Sequence, residues 1–144
     1  MDMEDDGAIR QVELELAILL RRVTAMTTRR LGTLDRAAYL LLHRIDAHGP
    51  EGVKRLAQAF GLDVSTVSRQ AAALEASGLV RRIPDPDDGR AYGLGITDHG
   101  LAELQATRRA RQARIAELLE GWTDEERTMF GELLHKFNQR AQQR

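Results

Sequence analysis

The sequence predicts a mainly α fold: a winged helix-turn-helix carried between long N- and C-terminal helices that form a dimerisation region. Three observations predict it. Two short amphipathic segments meet at Gly61-Leu62-Asp63. Directly after them the apolar period changes from near 3.6 to 2, around a turn rich in proline and aspartate. Apolar stripes at helical spacing occupy both ends of the chain. The 144 residues suit one compact domain. Residues 1–34 and 98–144 are assigned to the helical dimerisation region, and 35–97 to the winged part.

Ile9, Val12, Leu16, Leu19, Leu20 and Val23 recur at spacings of three and four, which predicts a helix over about 8–30. Gly32 punctuates it. Thr33 or Asp35 can cap a second helix with Ala38, Leu41, Leu42 and Ile45 inward, ending near His48-Gly49-Pro50. Val53–Phe60 is a short helix with Leu56, Ala57 and Phe60 inward, closed by Gly61. Asp63 can cap the next helix, Val64–Ser77, which stops at Gly78. Two strands follow, Leu79–Ile83 and Tyr92–Ile96, joined by Pro84-Asp85-Pro86-Asp87-Asp88-Gly89-Arg90. Thr97 can cap a long helix over about 98–120, broken at Gly121. Thr123 and Glu126 form a capping box for a last helix with Met129, Phe130, Leu133, Leu134 and Phe137 on its apolar face.

Composition excludes several classes. The chain is 42% apolar with a net charge of −1, unlike a disordered segment. It has no cysteine, hence no disulfide scaffold and no thiolate with which to sense oxidants. No apolar run approaches the length of a membrane span, and Asp2, Glu4, Asp5 and Asp6 are acidic where a secretory signal would be basic, so a cytoplasmic protein away from membranes is expected. The histidines His43, His48, His99 and His135 are scattered, and His43 and His48 sit about 140° apart on a helix. There is no metalloprotease pair of histidines and no phosphate-binding glycine loop. No catalytic residue, metal ligand or cofactor is expected, and the chain is read as a non-enzyme.

On Val64–Ser77, at about 100° per residue, Val67, Ala71 and Leu74 share one face. Ser65, Arg69, Ala72 and Ala76 lie opposite, flanked by Thr66, Ser68 and Ala73. A small, polar face with one arginine can enter a major groove, bringing Arg69 to a guanine edge or a phosphate and hydroxyls to phosphates or bases. The same face would also serve as an ordinary solvated surface. Local charge supports the groove reading: Lys54, Arg55, Arg69, Arg81 and Arg82 stand against Asp63 and Glu75 alone over residues 53–82. At the hairpin tip, Asp88 can fix Arg90 for entry into a narrow minor groove, unless this is a plain polar turn. The expected DNA contacts are therefore Lys54, Ser65, Thr66, Ser68, Arg69, Asp88 and Arg90. The run Arg108, Arg109, Arg111 and Arg114 is expected to be solvated and paired with Glu103, Glu117 and Glu120. The terminal stripes would be a liability in a monomer, and packing them across a two-fold axis buries both, unless each stripe folds back onto its own domain.

Five segments occur in an order that resembles the MarR family (multiple-antibiotic-resistance regulators) of bacterial winged-helix transcription factors. They are Val53-Lys-Arg-Leu-Ala-Gln-Ala-Phe-Gly, Ser65-Thr-Val-Ser-Arg69, Leu74-Glu-Ala-Ser-Gly-Leu-Val80, Asp85-Pro-Asp-Asp-Gly-Arg90 and Ile96-Thr-Asp-His-Gly100. The resemblance covers nearly the whole chain. Asp35 departs from it, standing where the family often has threonine, and so does the absence of cysteine, which the family's hydroperoxide sensors need. The resemblance implies an obligate homodimer, a recognition helix at 64–77 and a wing arginine at Arg90 supported by Asp88. It implies a sequence-specific regulator of transcription, a ligand-responsive repressor on a pseudo-palindromic operator in double-stranded DNA. It also implies an effector pocket among the first, second and fifth helices. Met26, Arg30, Tyr39 and His43 are the expected lining there, suited to a small aromatic or phenolic effector. The competing reading is a winged-helix protein-interaction module without DNA binding.

Overall fold

The computed structural model describes residues 6–26, 33–89 and 91–142, with the side chains of residues 23–26 left out of account. Along the chain run α1 (Gly7–Met26), α2 (Arg36–His48), α3 (Val53–Phe60), α4 (Val64–Ala76), β1 (Val80–Pro84), β2 (Tyr92–Ile96), α5 (Asp98–Leu118) and α6 (Asp124–Gln142). Helices and one two-stranded sheet account for nearly all of it, as the apolar periods predict.

Local chemistry sets most boundaries. Asp35 caps α2 by accepting from the Ala38 N–H at 2.8 Å. Thr97 accepts from the Gly100 N–H at 3.0 Å and donates to the Gly78 carbonyl at 2.6 Å, so one hydroxyl both starts α5 and fixes it to the end of α4. The capping box at the start of α6 is formed: the Thr123 N–H donates to Glu126 Oε1 at 3.0 Å and the Glu126 N–H to Thr123 Oγ1 at 3.1 Å. The Thr123 backbone N–H, and after it the Thr123 side chain, hold the Glu126 carboxyl below its ordinary value by hydrogen-bonding to the charged form. Asp63 occupies the N-cap position of α4, but its side chain makes no cap bond, so the helix start there rests on backbone geometry.

The core lies under the winged part. Leu41, Leu42 and Ile45 of α2, Leu56 of α3, Val67 and Leu74 of α4, Leu94 of β2 and Leu104 of α5 are all buried. α2 packs on α4, α5 and β2, and α3 packs on α4. β1 and β2 pair antiparallel with Val80 opposite Ile96 and Pro84 opposite Tyr92. Glu51 adds a bridge to Leu94, whose N–H donates to the Glu51 carbonyl at 2.9 Å. Arg44 of α2 reaches the Glu51 carboxylate at 3.1 Å, tying α2 to the same sheet edge. Gly100 is required by close approach: a Cβ there would stand 2.1 Å from the Leu79 carbonyl oxygen.

The terminal helices are different. No described residue of α6 is buried, and on α1 Leu16 alone of the described side chains is as much as half-buried. Ile9 and Leu20 of α1 are 65% and 66% exposed, and Leu133 of α6 is 54% exposed. Ile115, Leu118, Trp122, Met129, Phe130 and Phe137 are exposed as well. Among the described residues, no helix is long and apolar enough to cross a membrane.

Candidate nucleic-acid interface

The site is built on α3, α4 and the hairpin. α3 ends at Gly61, which takes the left-handed conformation at φ 64°. The Gly61 N–H donates to Gln58 O at 3.3 Å and the Leu62 N–H to Ala57 O at 3.0 Å, the paired bonds of a Schellman ending. This reversal hands the chain to α4. The same device ends α4: Gly78 has φ 74°, its N–H donates to Glu75 O at 3.0 Å, and the Leu79 N–H donates to Leu74 O at 2.9 Å. Leu79 is thereby buried and the hairpin starts immediately beyond it.

α4 divides as its periodicity predicts. Val67, Ala71 and Leu74 are 0%, 5% and 5% exposed and fasten the helix to the core. Ser65, Ser68, Arg69, Ala72 and Ala76 are exposed, and Thr66 is half-buried. Lys54 is exposed in the first turn of α3. Wing residue Asp88 is exposed at the tip, where the Asp85 N–H donates to Ala91 O at 3.1 Å and the Ala91 N–H to Asp88 O at 3.0 Å. Arg90 lies outside the described residues. The helix-turn-helix side chains are thus presented to solvent, and a face of small residues around one arginine leaves room for a groove to close on it.

Two sequence expectations about arginines change. Arg82 counts toward the local positive charge, yet its Nε donates to Glu75 Oε2 at 3.0 Å and its Cζ lies 4.5 Å from the centre of the Tyr92 ring. The run on α5 also divides. Arg114 pairs with Glu117 at 2.9 Å, three residues on, as expected. Arg108 instead donates to His43 Nδ1 at 3.3 Å, and Arg111 stacks 4.7 Å over the Tyr39 ring. Tyr39 and His43 lie stacked with centroids 6.5 Å apart. Of the four expected effector residues, the structure therefore brings Tyr39 and His43 together and adds Arg108 and Arg111. The Met26 side chain and Arg30 lie outside the described residues. Sequence reasoning missed the two arginines because acids close in sequence offered a simpler pairing. A cavity of about 240 Å³ opens elsewhere, between the start of α2 and the far end of α4, lined in part by Asp35, Gln70, Ala73 and Ser77. Among the described residues, no group of three or more histidines and acids could hold a metal ion.

Comparison with known proteins decides the kinship. The model of the MarR family matches residues 34–92, the stretch from the start of α2 to the start of β2. YxaD, an uncharacterised HTH-type transcriptional regulator of Bacillus subtilis, is 43% identical over 138 residues, covering 94% of this chain and 96% of its own. This chain belongs to the MarR family. Solved structures agree over both chains' lengths. The transcriptional regulator BldR from Sulfolobus solfataricus is 26% identical, with a TM-score of 0.74, covering 97% of this chain and 99% of its own. The structure of MarR is 27% identical, with a TM-score of 0.72, covering 92% and 98%. MarR-family proteins are DNA-binding regulators of transcription and not enzymes, and this member has their winged helix complete from α2 to β2.

Proposed function

We propose that this MarR-family regulator acts in the cytoplasm as a homodimeric, ligand-responsive repressor on a pseudo-palindromic operator. The observation that carries the reading is α4: Val67 and Leu74 hold it down, while Ser65, Ser68 and Arg69 stand free on the opposite side. In this reading α4 enters the major groove, where Arg69 reads a base edge, while Ser65, Thr66, Ser68 and Lys54 fix register on the backbone. Arg90, steadied by Asp88, follows the adjacent minor groove. The uncovered apolar faces of α1 and α6 support a dimer, which would set two α4 helices about one helical turn of DNA apart. The pairing of Tyr39 and His43 with Arg108 and Arg111 supports an effector site for a small aromatic anion, since it offers a ring face beside two cations.

Duplex binding at two salt concentrations tests the reading. With six to ten phosphate contacts, affinity is expected to fall by about 10³ to 10⁵ between 50 and 200 mM salt. Against a duplex recovered by in vitro selection, Arg69→Ala should relax base preference at one position, whereas Arg90→Ala should weaken all sequences alike. Salt-independent or absent duplex binding would leave a protein-docking module instead.

A further inference from the structure

We propose that Arg82 is a positioning residue that ties the wing to the recognition helix, and so sets the spacing of the two elements that reach the duplex. The inference rests on the DNA-binding reading above and adds a residue to it that need not touch DNA.

The strand register places Arg82 opposite Leu94, with Pro84 and Tyr92 the next pair toward the tip. Side chains of paired residues lie on one face of the ribbon, and so do those two positions along. Val80, Arg82, Leu94 and Tyr92 therefore share a face. Val80 and Leu94 are buried and anchor the base of the hairpin, while Tyr92 is exposed. Arg82 stands at the change between the two regimes, beyond the last buried contact on β1. Its guanidinium meets two elements at once. The Nε edge donates to Glu75, in the last turn of α4, at 3.0 Å, and the flat face covers the Tyr92 ring at 4.5 Å. A planar, permanently charged fork can do both; an ammonium cannot hold an edge bond and a stacked face in one geometry.

The pair is open to solvent, with side-chain exposures of 60% for Arg82 and 40% for Glu75, so it adds little to stability. Its consequence is geometric. A two-stranded ribbon holds itself poorly and is free to tilt about its root unless side chains brace it. The Glu75–Arg82–Tyr92 stack is that brace, and it fixes wing tilt against the same helix that carries Arg69. A direct phosphate contact by Arg82 is the competing role, and the Glu75 carboxylate beside it would repel a phosphate.

The two roles give opposite results for Glu75. The full-length chain, Arg82→Gln, Arg82→Lys, Glu75→Gln, their Arg82→Gln/Glu75→Gln combination, Tyr92→Phe and Tyr92→Leu are titrated against one in vitro selected duplex across a salt series. Hydroxyl-radical footprints and melting curves are taken in parallel. As a brace, Arg82→Gln, Arg82→Lys, Glu75→Gln and Tyr92→Leu each weaken binding by about fivefold to tenfold, and the double variant is no worse than the weaker-binding single. Tyr92→Phe keeps wild-type affinity because the ring is retained. Melting temperatures stay close to wild type, and protection fades at the flanking minor grooves while it persists in the major groove. If Arg82→Gln lowers the salt slope by about one and Glu75→Gln tightens binding, Arg82 is a phosphate contact and the proposal falls. It also falls if every variant binds and footprints as wild type does, or if the affinity losses simply track lowered melting temperatures. A wild-type chain with no affinity for duplex DNA overturns the DNA-binding reading itself, and this inference with it.

Discussion

Thr107 shows how a residue can be well placed and poorly matched. It is 0% exposed within α5, and its hydroxyl finds no hydrogen-bond partner among the described residues. An unsatisfied buried hydroxyl costs about 1–3 kcal/mol. Thr107→Val keeps the branched shape and removes the orphan, so stability in urea unfolding should hold or rise by about 1 kcal/mol. A loss of more than about 1 kcal/mol would mean that the hydroxyl is bonded after all. Other single residues were legible in the sequence to the extent that their chemistry is local. Thr97 and the Thr123–Glu126 pair each bond within three residues, so spacing alone identified them, whereas spacing left Thr33 and Asp35 both open as the cap of α2 and the structure gives the bond to Asp35. Asp63 has the right type at the right place and makes no such bond, because composition permits a cap without orienting the side chain.

At the scale of elements, the contact between α2 and α5 joins distant parts of the chain through charged and aromatic groups. Arg108 and His43 are 65 residues apart in sequence, and Arg111 lies over Tyr39 from the same direction. If this contact receives an aromatic anion, salicylate should release the wild-type chain from its duplex. The Arg108→Ala/Arg111→Ala chain should then need about thirtyfold more salicylate for the same release, since two lost charged or stacked contacts at roughly 1 kcal/mol each come to about 2 kcal/mol. Its affinity for DNA without salicylate should stay near wild type, because neither arginine lies on α4 or the wing. Unchanged salicylate release in that variant would place the effector elsewhere. The helix-turn-helix itself was legible: Gly61 and Gly78 end their helices in left-handed turns, and a glycine in that conformation announces itself by type. The Glu51 bridge to Leu94 was not, because a lone pairing residue leaves no period to detect.

At the scale of the molecule, the uncovered stripes dominate. Ile9 and Val12 of α1, Trp122, and Leu133, Leu134 and Phe137 of α6 are large apolar side chains left in solvent. A monomer rarely leaves such apolar stripes in solvent, and a second copy is the occupant proposed above. Light scattering at micromolar concentration should give the mass of two chains. Leu133→Glu with Phe137→Glu should yield a monomer whose circular dichroism remains helical, since no described residue of α6 is buried in its own chain. Loss of the second half-site contact should then weaken operator binding by about 10² to 10⁴. A monomeric wild type, or full affinity in the monomeric variant, would contradict the dimer.

The amino-acid order alone determined the helix-turn-helix, the hairpin after it, most helix caps and the polar face of α4, because each depends on groups a few residues apart along one element. The tertiary structure decided where the long cations went. Arg82 found Glu75 and Tyr92, and Arg108 and Arg111 found α2, because a flexible guanidinium takes whichever acceptor or ring the packed elements bring within reach. It also decided that α1 and α6 do not cover their own core, since an amphipathic pattern states that a face must be buried and leaves open against what.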